Sequence, residues 1–498
     1  MTDANVNGRV PLRHPDRLYI NGEWVKPEGE DHFDVIAPAT EQLYLRVAEA
    51  GTGDIDRAVA AARAAFDEGP WPRLSPAERA VYLQAIAKKL TERAPDVAAI
   101  WPNEMGILHS LATAYAGTVG GLYQYYAGQA ARFPFEEEKR TFSGAKLGLL
   151  VREPVGVVGA IIPWNGPISL IAFKLAPALL AGCTVVIKAS PEAPGHALLM
   201  AEIVQEVGLP PGVVNVLTAD RTASEALVRH PGIDKIAFTG SSAAGMRIAS
   251  ILGGRMARYT MELGGKSAAL ILDDYDIETA ARTIACSAGD MTGQVCASLT
   301  RVIVPRDRHD RMLEALSAEF SRIRVGDPFD PASQMGPLAT RRQRDRVEGF
   351  IAQAKADGFT LGTGGGRPHG LDRGFFIEPT VFGHVDNRSA LGQEEVFGPV
   401  LAVIPAQDEA DAVALANDSP YGLNAAVFTH DADRAYAVAR RLRTGTVGHN
   451  GLRLDFSISF GGFKQSGVGR EGGTEGLMPY LEAKTVLLDG KPSHRAGE

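Results

Sequence analysis

Apolar positions along the chain change their period from one region to the next. Near the start, Leu18-Tyr19-Ile20 and Glu23-Trp24-Val25 flank Asn21-Gly22, two β-prone runs across a two-residue turn that predict a hairpin. Asp54 stands where it would cap an alanine-rich helix running to Phe66. Ser75-Pro76-Ala77-Glu78 is a capping box with proline at the first helical position, opening an apolar 3.6-residue face at Val81, Ile86 and Leu90. Both helices read as scaffold.

From Val155 the texture changes to short β-branched runs separated by helical segments. Strands are predicted at Val155 to Ile162, Thr184 to Lys188, Val213 to Leu217, Lys235 to Phe238 and Arg258 to Glu262. Such strands, apolar on both faces and joined by helical crossovers, predict a doubly wound parallel α/β sheet, in which ligands bind beyond the carboxyl ends of the strands. A second strand-helix series runs from Ala268 to about Leu454, with Thr360 to Gly374 expected to be a glycine-rich surface turn. The last residues, Gly490 to Glu498, are polar and expected to fray.

The composition of the 498 residues, 45% hydrophobic and 22% charged, excludes a disordered or fibrous chain. A net charge of −8 without a polybasic run argues against nucleic acid or an anionic membrane as partner. Pro154 to Phe173 is an uncharged stretch of membrane-spanning length, but Pro154, Pro163, Asn165, Pro167 and Ser169 interrupt it, and a buried strand, turn and helix is the expectation. Met1 to Arg17 is polar and carries Asp3, which does not read as a signal peptide, so a cytoplasmic location is expected. Three cysteines cannot make a disulfide framework, and a free thiol fits a reducing compartment.

Several motifs fail on context. Gly467-Val468-Gly469-Arg470-Glu471-Gly472 matches GxGxxG but follows no strand of a βαβ unit, and Gly265-Lys266-Ser267 ends like a phosphate loop while Thr260 stands where its first glycine belongs. No histidine or cysteine spacing suggests a metal site, and the eleven histidines are scattered. What remains is a set of strand-end turns. Phe238-Thr239-Gly240-Ser241-Ser242-Ala243-Ala244-Gly245 opens a helix with small residues from which backbone N–H groups could meet a pyrophosphate, and Lys188 ends an earlier strand as a ligand-reading cation. Cys296, at a loop-strand junction, is a candidate nucleophile, whereas Cys183 and Cys286 sit in apolar segments and read as inert core. Glu262, at a strand end, would gain a raised pKa from partial burial and suit general-base work. Asn165, just past the first strand, could donate to an oxyanion. A packing turn, a strand-end ion pair and an ordinary turn asparagine are the bland alternatives.

Together these residues resemble the aldehyde dehydrogenase superfamily. The resemblance rests on Pro163-Trp164-Asn165, Lys188-Ala189-Ser190, the Phe238 to Gly245 turn, Glu262 to Ser267, Gly293-Gln294-Val295-Cys296, Glu394 to Pro399 and Phe460 to Lys464, in the family's order, and spans about residues 17 to 490. It implies an α/β fold with a Rossmann-type cofactor domain (1–133 and 154–262), a catalytic domain (263–476), a small oligomerisation sheet (134–153 and 477–492) and a tail (493–498), usually assembled as a dimer or tetramer.

By the same resemblance Cys296 adds to an aldehyde as nucleophile, the Asn165 side chain and the Cys296 backbone N–H hold the oxyanion, and Glu262 activates the water that cleaves the thioester. A lowered Cys296 pKa is implied. Lys188 and Glu395 would meet ribose hydroxyls, Gln343 a ribose, Ser241 the pyrophosphate and Phe397 the nicotinamide ribose, with Pro163, Trp164, Ser190, Gly240, Gly245 and Leu263 also in the cofactor pocket. The cofactor implied is NAD. Pro191 stands where many NAD-preferring relatives carry glutamate, with Glu192 beside it, which leaves NADP open. Gly166, Leu170, Phe173, Asp290, Leu454 and Phe456 would surround the substrate entry. Gly166, where an aromatic is common, suggests room for a bulky group, and Asp290 would disfavour an anionic end. A medium-sized aliphatic or aromatic aldehyde is expected. The alternatives are a CoA-acylating relative, a cofactor-independent thiol esterase, which would want a histidine base, and a structural protein that kept the fold.

Overall fold

The computed structural model describes residues 8–493; the first seven residues and all of the expected tail except Ser493 lie outside them. Among the described residues, four sheets organise the fold. The largest has eight strands, in the order Gly467–Val468, Arg258–Glu262, Lys235–Thr239, Val157–Ile161, Thr184–Ala189, Val214–Thr218, Leu18–Ile20, Glu23–Val25. The five from Arg258–Glu262 to Val214–Thr218 are parallel, and the edges are antiparallel. Strand order reverses between Val157–Ile161 and Lys235–Thr239, the switch point at which such sheets open a crevice. Register brings Lys188, Ile161 and Phe238 level, with Thr239 opposite Glu262 one residue further on, so the sheet itself lines up the strand-end candidates.

One face of this sheet is covered by Thr52–Asp67, Arg221–Arg229 and Ser242–Gly253, the other by Pro76–Glu92, Pro167–Ala181 and Gly195–Val207. In Pro167–Ala181, Leu175, Leu179 and Leu180 are fully buried, each worth roughly 1.5–3 kcal/mol. No helix among the described residues is long and apolar enough to cross a membrane. The apolar run from Pro154 resolves into strand, turn and helix.

The second sheet has seven strands, Thr360–Thr363, Thr380–Gly383, Val400–Ala406, Leu299–Pro305, Ser267–Ile271, Asn424–Phe428 and Thr446–His449, all parallel except the first. A three-stranded antiparallel sheet joins Leu481–Leu488, Leu147–Pro154 and Glu136–Lys139. The fourth is a hairpin, His32–Ala37 with Gln42–Ala48.

Several expectations change. Gly51, not Asp54, is the N-cap of Thr52–Asp67; Asp54 sits three residues in and its Oδ2 accepts from the Gly51 N–H at 2.9 Å. In Pro76–Glu92 the buried stripe is Ala80, Leu83, Ala87 and Leu90 with Ile86, while Val81 is 63% exposed because it points about 100° away from that stripe. Thr360 opens an edge strand rather than a turn. Cys183 is buried as expected, but Cys286 is exposed on Ile277–Gly289. The helices Ala94–Met105, His109–Ala116 and Val119–Gln129 were not anticipated.

Candidate active site

Asn165 follows the Val157–Ile161 strand at the switch point and is held at both ends. Its side-chain Nδ2 donates to the Gln294 carbonyl at 3.0 Å, and its own carbonyl accepts from the Trp101 indole N–H at 3.0 Å. Gln294 is fully buried and clamped in turn: its Oε1 accepts from Ala339 N at 2.9 Å and its Nε2 donates to the Met291 carbonyl at 3.0 Å. The loop leading to Cys296 therefore carries one partner of Asn165 two residues before the nucleophile candidate.

That loop is conformationally demanding. Met291 and Thr292 have φ of 50° and 57°, and Gly293 has φ of 69°. A Cβ at Gly293 would also stand 2.5 Å from the Gly398 carbonyl oxygen. Only glycine meets both conditions. Thr292 Oγ1 donates to the Gly336 carbonyl at 3.0 Å and pins the turn.

Cys296 is half-buried. Burial pushes its thiol well above the usual range, and the carboxylates of Glu262 and Glu395 push it further, against the N–H groups of Ala297 and Cys296 itself, which lower it. Burial and the two carboxylates thus act against the lowered pKa expected for this cysteine. Among the groups acting on it there is no histidine. His449, the one histidine near the motifs, shares a 2.9 Å hydrogen bond with the Thr429 carbonyl.

Glu262 is 3% exposed, and neither carboxylate oxygen has a hydrogen-bond partner. Its pKa is raised well above the carboxylate range, first by burial and then by Glu471, while Lys174 and Arg470 oppose the rise. Lys174, on Pro167–Ala181, donates to Glu471 Oε1 and to Thr239 Oγ1, each at 2.6 Å. Sequence reasoning missed Lys174 and Glu471: lysine in an apolar helix was the available signal, and Glu471 was hidden inside the rejected GxGxxG run.

Of the expected cofactor residues, Lys188, Ser190, Gly240 and Ser241 lie at or just past the carboxyl ends of strands of the eight-stranded sheet, whereas Gln343, Glu395 and Phe397 come from the second strand-helix series. Lys188 is 7% exposed, its pKa drawn down to about 8 by burial against the pull of Glu192 and Asp220. Ser190 Oγ donates to Glu192, which also meets Arg342 at 2.9 Å. Gly240 N donates to the Glu262 carbonyl at 3.0 Å, Ser241 caps Ser242–Gly253, and Gly245 packs beneath Leu263. Glu395 Oε1 accepts from Gly265 N at 3.0 Å, and burial carries its pKa up to about 7. Gln343 Nε2 donates to the carbonyls of Val396 (3.1 Å) and Phe397 (2.7 Å), so this amide braces the turn of Phe397, whose φ is 59°. Phe397 meets Trp164, two residues after Ile162 and beside Pro163, edge to face at 5.4 Å.

On the substrate side, Phe173 and Phe456 rings lie 4.3 Å apart, with Phe460 5.6 Å from Phe456. A Cβ on Gly166 would lie 3.8 Å from Leu170 and 3.9 Å from Trp101, so the room expected there is bounded on two sides. Burial raises the Asp290 carboxyl above its usual range. Leu454 is 36% exposed and joins no hydrophobic cluster among the described residues.

Elsewhere, His309, Asp310 and His384 come together although no sequence spacing indicated it. His384 N donates to His309 Nε2 at 2.9 Å, which leaves the His309 proton on Nδ1, 2.9 Å from Asp310; the group reads as a satisfied clamp.

The model of the aldehyde dehydrogenase family matches residues 24–486. The chain belongs to the aldehyde dehydrogenase family. It is an oxidoreductase acting on aldehydes. This aldehyde dehydrogenase is 42% identical over 474 residues to geranial dehydrogenase of Castellaniella defragrans, covering 95% of this chain and 98% of that one. To 3-succinoylsemialdehyde-pyridine dehydrogenase of a Pseudomonas species it is 41% identical, covering 96% and 99%. Among solved structures it resembles a Mycobacterium tuberculosis aldehyde dehydrogenase complexed with NAD+ (TM-score 0.93, 44% identity, 95% and 98% covered). It also resembles a mutant aldehyde dehydrogenase C of Pseudomonas syringae complexed with NAD+ and octanal (TM-score 0.93, 37% identity, 98% and 100% covered).

Proposed function

We propose that this aldehyde dehydrogenase oxidises a medium-sized aliphatic or aromatic aldehyde to its carboxylic acid through a cysteine-bound thiohemiacetal and thioester, with NAD+ as cofactor. The observation that carries the reading is one arrangement: the Asn165 amide is tied to the Gln294 carbonyl two residues before Cys296, and Gly265, three residues past Glu262, closes on the Cys296 carbonyl so tightly that a Cβ there would stand 2.5 Å from its oxygen. NAD+ supplies the hydride acceptor when bound. Lys188, buried without a hydrogen-bonded partner among the described residues, and the small-residue turn from Thr239 to Gly245 fit a dinucleotide, with Glu395 placed to receive a ribose hydroxyl. The NAD+ complexes of the solved relatives support the same choice.

Cys296 Sγ gives up its proton to solvent and attacks the carbonyl carbon. The free N–H of the Asn165 amide and the Cys296 backbone N–H stabilise the oxyanion. After oxidation, Glu262 takes a proton from the water that adds to the thioester carbonyl and passes it to the departing Cys296 thiolate, which releases the acid and restores both side chains. Phe173 and Phe456 provide an apolar wall, and Asp290 opposes a negatively charged far end. The eight-stranded sheet region serves the cofactor, the seven-stranded region carries Cys296, and the three-stranded sheet joins subunits into a dimer or tetramer in the cytoplasm. Glu262 argues against CoA acylation, and the lack of a histidine acting on Cys296 argues against a cofactor-independent esterase.

NADH absorbance on mixing the protein with a panel of aldehydes and either NAD+ or NADP+ tests the reading. Turnover that disappears in Cys296→Ala supports it; unchanged turnover in that variant, or a strong preference for a semialdehyde carboxylate, overturns the mechanism or the substrate class respectively.

A further inference from the structure

Trp101 belongs to the helix Ala94–Met105 and to none of the motifs above. It is 3% exposed, its indole N–H donates to the Asn165 carbonyl at 3.0 Å, and its Cζ2 lies 3.9 Å from where a Cβ on Gly166 would stand. The ring is fixed from behind by His196, edge to face at 5.4 Å. That imidazole is neutral: burial draws its pKa down to about 4, and its Nε2 bonds the Val97 carbonyl at 3.1 Å. In front lies Tyr115, ring centroids 6.0 Å apart, on the helix His109–Ala116. Tyr115 is 37% exposed and feels the charges of Asp290 and Cys286. The helices of residues 94–116 thus extend an aromatic wall from the buried His196 past Asn165 and Gly166 to solvent.

We propose that Trp101 is a positioning residue for the Asn165 amide and the aromatic face of the substrate channel, standing in the space that Gly166 leaves, so that aldehydes bearing a flat apolar group, aromatic or α,β-unsaturated, are the preferred class. The inference rests on the aldehyde-oxidising reading and adds its specificity. Asn165 has two anchors, the Gln294 carbonyl for its side chain and Trp101 for its backbone. Loss of the indole N–H leaves a partly buried carbonyl without its donor, and the 163–166 turn moves to find another, taking the oxyanion donor off target. The ring's Cζ2 edge bounds the space that the missing Gly166 side chain leaves, so a group occupying that space meets an aromatic edge.

Trp101→Phe keeps the ring and removes the N–H; Trp101→Leu removes both. With propanal and benzaldehyde as probes, Trp101→Phe is expected to lower kcat about three- to ten-fold for both, with KM little changed. The loss should vanish when the same change is made in Asn165→Ala, because the residue acts through Asn165. Trp101→Leu should in addition raise the KM for benzaldehyde over that for propanal about two- to ten-fold. If that variant does not fold, Gly166→Leu, which fills the same space, should shift the ratio the same way. Equal kcat in Trp101→Phe and wild type, an effect that persists undiminished in the Asn165→Ala background, or an unchanged KM ratio overturns the proposal while leaving aldehyde oxidation standing. A wild type that turns over neither aldehyde overturns both.

Discussion

Lys174 Nζ lies 2.6 Å from Glu471 Oε1, and the two side chains are 0% and 3% exposed. Its two charges act on Glu262, the proposed general base: Glu471 raises the pKa of that buried carboxyl and Lys174 lowers it. Such a pair costs much desolvation and earns it back only through close geometry. Here it also sets the pH at which Glu262 is free to accept a proton.

In the proposed mechanism Glu262 works deprotonated, so thioester hydrolysis should be lost as pH falls through its raised pKa. Glu471→Gln removes the repulsion and should move the acid limb of the kcat profile to lower pH. Lys174→Met removes the opposing cation and should move it to higher pH, while leaving Glu471 unpaired at a cost of about 3–5 kcal/mol. A shift of both variants in the same direction would contradict the assignment.

Glu192 stands just past Pro191, four residues after Lys188. Ser190 and Arg342 hold it beside Lys188. Glu192→Gln should raise kcat/KM for NADP+ relative to NAD+ on the order of ten-fold, by removing a like charge from the 2′-phosphate. Initial rates with each cofactor check this, and an unchanged ratio would show that Glu192 takes no part in the choice.

Gly293→Ala should destabilise the protein by about 1–3 kcal/mol, since its positive φ and the Gly398 carbonyl both oppose a side chain. The displaced loop carries Cys296, so kcat should fall as well. Thermal melts and NADH rates measured together test it; normal kcat with normal stability would show the turn to be slack.

Ser75→Ala supplies the contrast. The Ser75–Glu78 capping box is exposed, and its loss should cost about 1 kcal/mol with kcat unchanged.

The candidate site was legible where its chemistry is local. Lys188 and Glu262 lie at the ends of strands and Asn165 and Ser241 in the turns that follow strands, and the sheet register sets Lys188 level with Ile161 and Glu262 with Thr239. What the sequence hid depends on distant partners. Lys174 meets Glu471 across 297 positions, and Trp101 reaches Asn165 across 64, so neither shows a local pattern. The lowered Cys296 pKa came only with the resemblance, which named no neighbour to cause it; in the fold, burial and the carboxylates of Glu262 and Glu395 act the other way. Thr360–Thr363 was taken for a turn on its glycines; Gly362 instead packs against Leu313 and Val381 in an edge strand.

The most direct test is to trap the acyl-enzyme. Glu262→Gln cannot activate water, so mixing it with NAD+ and an aldehyde should yield about one NADH per site and then stop, with the intact mass increased by one acyl group located on the Cys296 peptide. NADH production without an acyl group on Cys296, or the same adduct formed without NAD+, would contradict the account.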